Sequence, residues 1–145
     1  MDSLRPFRPR WARAVAWGLV AIVVVVVGVL FALAIVGYLP AWHLADQVLT
    51  VIFFGVGVWI MARLALVQAT PDETGLTVRN FIHTRRVTWE EIVHVSLTRG
   101  RPWADLDLSD GSTLAVMGIQ SADGEYGVRE ARRLAALVAS REGRD

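Results

Sequence analysis

Asp105 and Asp107 stand two residues apart in a run that alternates polar with apolar side chains, so both carboxylates leave the same face of one predicted strand. Such a pair could share acid–base work or hold a hard divalent cation. A hard-ion site needs several oxygens, however, and neither a histidine nor a third carboxylate lies at ligand spacing, so the pair reads as a solvated strand face. His43, His83 and His94 fall in a loop, a turn and a strand with no paired-ligand spacing. Ser96, Ser109, Ser112 and Ser121 lack the context of an activated nucleophile. Gly100, Gly111, Gly118, Gly124 and Gly127 punctuate turns and caps and form no phosphate-cradling loop. The expectation is a chain with no catalytic site, no metal and no cofactor.

Two patches suit contact better than catalysis. Arg79, Arg85 and Arg86 flank a predicted strand turn and offer positive charge to an anionic membrane surface. Arg99, Arg101 and Trp103 place two charges and an aromatic ring at a predicted loop tip, the composition of a protein contact patch, although Trp103 could instead turn inward as core. Trp89, at the end of its strand, is expected to plug the core.

These residues need elements to position them, and the 145-residue chain divides into two solvents. Apolar residues make up 54% of it, and the excess lies before Gln68. All 15 basic residues are Arg, which reads as a GC-rich genome rather than a functional signal. The formal charge of +1 argues against nucleic acid. There is no Cys, so the soluble part must hold together by its core alone.

Residues 14–38 are 25 without a charge, against the ~20 needed to cross a bilayer as a helix. In lipid, hydrogen-bond demand overrides the strand preference of the valine run 23–27. A cleaved signal peptide is the alternative, but the stretch exceeds the ~7–15 apolar residues of a signal core. A second stretch ends at about 67, and only 16 residues separate the charges of Asp46 and Arg63. It spans if Arg63 snorkels to the headgroups, and is re-entrant or interfacial otherwise. Gly28, Ala32, Gly55 and Gly57 could let the two helices pack closely. Arg5, Arg8, Arg10 and Arg13 precede the first helix and Arg63 closes the second, while the intervening turn holds no Arg. The positive-inside rule then puts both termini in the cytoplasm of an inner-membrane protein.

Beyond Ala69 hydrophobicity takes period two, through Leu76 and Val78, Val87 and Trp89, Val93, Val95 and Leu97, and Ala104, Leu106 and Leu108. Asp110-Gly111 between two such runs marks a hairpin. Asp123 is placed to cap a helix reaching about Ser140, with Ala131, Leu134, Ala135 and Val138 on one face. The expected division is an Arg-rich N-terminus at 1–13, a helical hairpin at 14–68, a mostly β domain at 69–140 that folds by itself, and a tail at 141–145.

The order of Gly75-Leu76-Thr77-Val78-Arg79-Asn80-Phe81, then Arg85-Arg86-Val87-Thr88-Trp89-Glu90-Glu91-Ile92, then 103–108, Asp110-Gly111 and a last helix resembles the actinobacterial membrane-anchored bacterial PH-like domain family. The resemblance implies an α+β chain: a two-helix transmembrane hairpin, then a PH-like antiparallel β-sandwich closed by a C-terminal helix. It implies little about activity. Phosphoinositide-binding PH domains use a Lys-containing basic pattern on an early hairpin, which the Arg79–Arg86 segment lacks. The functional expectation is therefore a non-enzymatic, membrane-tethered interaction or scaffold module with the bilayer and a protein as partners, and anionic-headgroup sensing as the alternative.

Overall fold

The computed structural model describes residues 4–98 and 100–142. The chain forms two compact units, Ala12–Ala65 and Met1–Trp11 with Leu66–Asp145.

The first unit is helical. Helix α1 spans Trp11–Ile35 and α2 spans Leu44–Ala65; both are long and apolar enough to cross a membrane. Each is shifted toward the N-terminus relative to the expected 14–38 and 47–67, for local reasons. At the end of α1, Gly37 adopts φ 84°, its N–H donates to Ala34 O (3.1 Å), and Tyr38 N–H donates to Leu33 O (2.9 Å). That pair of bonds is a Schellman stop, with Pro40 soon after to prevent resumption. Helix α2 starts early because the Asp46 carboxylate reaches back to accept the His43 N–H (2.9 Å), as in a capping box. Asp46 is thus inside the first turn, and 22 residues rise about 33 Å, enough for a bilayer core. Arg63 lies in the last turn, its guanidinium 5.9 Å from the centre of the Trp59 ring. A methyl group at Gly28, Gly55 or Gly57 would meet nothing within 4 Å, so these glycines mark no close helix approach.

The second unit carries six strands and a helix. β1 (Gln68–Pro71), β2 (Gly75–Arg79) and β3 (Thr84–Thr88) form one antiparallel sheet; β4 (Ile92–Ser96), β5 (Trp103–Leu108) and β6 (Thr113–Gln120) form another. Helix α3 (Glu125–Glu142) closes the chain. The core contains the residues that alternation places inward, Leu76, Val78, Val87, Trp89, Ala104, Leu106 and Leu108, together with Ile92, Val116 and Ile119, and is met by Ala131, Leu134, Leu137 and Val138 of α3. Val93 departs from that set. A bulge between Ile92 and His94 resets the alternation, leaving Ile92 buried and Val93 61% exposed, while Val95 and Leu97 return to the core side.

Asn80 ties the two sheets together. Its side-chain amide donates to Ala115 O (2.7 Å) and its carbonyl accepts the Met117 N–H (3.1 Å), as a strand neighbour would. A larger departure concerns the N-terminus. Residues expected to lie outside the domain supply Phe7 to its core, fully buried, with an antiparallel bridge to Ala69.

Candidate functional site: strand surfaces and an N-terminal strap

Strand register separates the three arginines proposed for a lipid surface. Arg86 pairs with Thr77, and Arg79 with Thr84, on the outward face of the first sheet; Arg85 pairs with Val78 and, two residues from Val87, shares the inward-facing parity. They do not converge on one site. Arg86 is held by Asp72 (2.7 Å) and donates to the Thr74 hydroxyl (2.6 Å), and Arg85 lies 3.6 Å from Asp110 in the β5–β6 turn. Their charge is largely spent on neighbouring carboxylates.

The Asp72 turn is a compact charged knot. Its carboxylate also accepts the N–H groups of Thr74 and Gly75 (both 2.9 Å), and its main-chain carbonyl accepts the buried Trp89 indole N–H (3.1 Å). The Arg86 guanidinium, then the Thr74 N–H, lower the Asp72 carboxyl from 3.8 to about 2. Because the folded value is depressed, this turn stabilises the protein above the ordinary carboxylate range, and the effect is lost as pH falls toward 2. The side chain is 41% exposed, so screening keeps the stabilisation below about 1 kcal/mol. In Arg86→Ala, a carboxyl-detected NMR titration should find Asp72 returned most of the way to the ordinary value; an unchanged midpoint would assign the depression to the turn's N–H groups alone.

The second patch is also engaged. Arg101 lies 3.1 Å from the carboxylate of Asp105, which is buried, contrary to the expected solvated face. Asp107 is the exposed member of that pair and accepts the Thr113 hydroxyl (3.2 Å). Pairing Asp105 with Arg101 makes its burial tolerable. Trp103 is half-buried and opens β5 opposite Gln120 rather than standing on a loop tip. Arg99 lies outside the described residues. His43, His83 and His94 are all exposed, and among the described residues no three His, Asp or Glu side chains gather as a metal site. In the helical unit, a concavity of about 540 Å³ at the interhelical turn is lined by Leu30, Tyr38, Trp42, Asp46, Thr50 and Phe54, and its carboxylate is already committed to the His43 N–H.

A further set of long-range contacts lies where no site was expected. Residues 5–11 form a strap. Phe7 exchanges both main-chain hydrogen bonds with Ala69 (2.8 and 3.0 Å), and its ring lies under the Arg133 guanidinium, 3.8 Å from the centroid. Arg133 also donates to Arg5 O (3.0 Å) and to Glu130 (2.8 Å), a buried carboxylate that lies 3.6 Å from Arg5. Asp123 does not cap α3, whose first turn instead closes on Gly124. Its buried carboxylate accepts the N–H groups of Arg10 (3.0 Å) and Trp11 (2.9 Å), satisfying the donors exposed where α1 begins. Gly118 leaves room for the strap: a Cβ there would stand 2.8 Å from Phe7 O and 2.9 Å from Ala69 N. The one sequence signal was an aromatic residue isolated in Arg5-Pro6-Phe7-Arg8-Pro9-Arg10.

Two three-stranded antiparallel sheets closed by a C-terminal helix, preceded by two apolar helices, define an α+β chain of PH-like class. The profile of the bacterial PH domain matches residues 67–137. The chain is 32% identical, over 91% of its length and 86% of theirs, to the uncharacterized protein Rv1417 of Mycobacterium tuberculosis and the uncharacterized protein Mb1452 of Mycobacterium bovis. It belongs to this bacterial PH domain family. No solved structure matches it.

Proposed function

We propose that this chain is a non-enzymatic, membrane-tethered PH-like interaction module, its domain held at the cytoplasmic face to engage a protein partner. The observation that carries the tether is the strap. Residues 5–11, before α1, and 66–142, after α2, belong to one folded unit, so the chain leaves and re-enters the same domain through two apolar helices. A unit that is not split by the bilayer requires an even number of crossings. The arginines around it favour the cytoplasmic side. The interaction reading rests on family membership, and on arginines of the β domain that are committed to neighbouring carboxylates. Headgroup sensing is the weaker alternative, since Arg85 and Arg86 face carboxylates and diverge.

The test is labelling of single cysteines by an impermeant reagent in intact cells. Trp42→Cys should react from outside and Ser140→Cys only after lysis. Labelling of Ser140→Cys from outside, or failure of Trp42→Cys to react in intact cells, defeats the topology. Crosslinking and affinity capture from native membranes then addresses the partner.

A further inference from the structure

The strap is held along its length, from Arg5 to Trp11, immediately before α1. Only one residue, Phe7, makes a strand-type bridge. Pro6 and Pro9 on either side have no N–H and cannot extend the pairing into a ladder. Arg5 and Arg8 add contacts from exposed side chains, to Glu130 (3.6 Å) and Gln68 (3.0 Å). The strong attachments are therefore the buried Phe7 and Pro9 side chains, the Asp123 carboxylate on Arg10 and Trp11, and the Arg10 guanidinium 3.9 Å from the centre of the Tyr126 ring. Trp11 is both the last residue of the strap and the first of α1, so no slack separates the Asp123 clamp from the helix. A main-chain N–H bond tolerates little change in distance or angle. Helices in a bilayer tilt when their apolar length and the bilayer thickness differ, and the uncharged part of α1, residues 14–35, rises about 33 Å against the ~30 Å hydrocarbon core.

We propose that residues 5–11 are a mechanical strap through which the tilt or axial position of α1 sets how firmly Phe7 is seated beside β1 and Gly118. Displacing α1 loads the Asp123 clamp first; once that yields, the Phe7 bridge, the buried Pro9 and the side-chain contacts of Arg5, Arg8 and Arg10 keep the strap on the domain. The released strap uncovers the Ala69 main chain, the face of the Phe7 socket and the Glu130 carboxylate. The domain thereby acquires two packing states that report on the bilayer. This inference rests on the two helices spanning a membrane, which cysteine labelling tests separately.

The experiment is amide hydrogen exchange on the full chain reconstituted into nanodiscs of short-, medium- and long-chain phosphatidylcholine. The readout is the Ala69 N–H, which donates to Phe7 O (3.0 Å), compared with Val78 in the centre of β2. The expected result is Ala69 exchange that differs by about tenfold or more between the thinnest and thickest bilayers while Val78 stays constant, an opening confined to the strap. A flexible Gly-Ser insertion between Trp11 and Ala12 should abolish the dependence on thickness. Equal Ala69 exchange in all three bilayers overturns the proposal. So does a dependence shared by Val78, or one that survives the insertion. A chain that fails to reconstitute with two crossings defeats the membrane reading instead.

Discussion

Phe7→Ala is expected to remove about 3–5 kcal/mol from the stability of the folded unit, the range for emptying a buried aromatic site. Phe7 is fully buried, contacts the Arg133 guanidinium through its ring face and sits against the β1 edge, so its loss leaves a cavity and removes one of the groups packed on that cation. A domain of this size holds about 5–15 kcal/mol in all. The measurement is urea unfolding of a soluble chain in which residues 4–11 are joined to residues 66–142 by a Gly-Ser linker replacing the helices. The same reasoning predicts that residues 69–140 alone, the boundary suggested by composition, unfold with a much lower midpoint or no cooperative transition. A Phe7→Ala loss below about 1 kcal/mol would mean that the socket collapses around the missing ring, and that the strap is peripheral to the core.

Gly118→Ala should cost nearly as much, toward or beyond the upper end of the 1–3 kcal/mol typical of overpacking. The added methyl would be 2.8 Å from Phe7 O, 2.9 Å from Ala69 N and 3.1 Å from Gln68 C, all main-chain atoms that cannot rotate aside. Either the strap lifts away or β1 and β6 separate. A double-mutant cycle distinguishes these: if the strap yields, Phe7→Ala and Gly118→Ala together should cost clearly less than the sum of the two. Full additivity would place the damage between the strands instead.

The legible part of the fold was the part governed by local periodicity. Alternation along 76–78 and 104–108 identified inward residues correctly, and the Asp110-Gly111 turn closes as expected, with Leu108 N–H donating to Ser112 O (2.9 Å). Helix existence was legible too, because a long uncharged run has few other solutions; its ends were not, since the Gly37 stop and the Asp46 cap depend on single residues. The strap was hidden for a physical reason. Phe7 is one apolar residue between Pro6 and Arg8, with no period to display, and its arginine neighbours carry the same composition as any membrane flank. Asp123 was assigned to the helix just after it because a capping residue normally serves its own chain neighbours, whereas here its partners lie 112 and 113 residues away. Val93 and Asp105 show the remaining limit: a bulge or an arginine four residues away reverses the burial that strict alternation assigns.

The strap and its seat lie at opposite ends of the chain: Arg5 is bonded to Arg133, 128 residues later, and Phe7 is covered by a helix ending at Glu142. A polypeptide is made from its N-terminus, so the strap emerges before its seat and waits until α3 has left the ribosome. On the proposed topology both helices are inserted during that wait. A molecule whose first helix enters the wrong way round carries its Phe7 to the far side of the bilayer, where its own domain can never reach it. Such a molecule would be left with an open socket beside β1. On that topology, completion of the domain requires that the first helix be inserted with Phe7 on the domain's side of the bilayer.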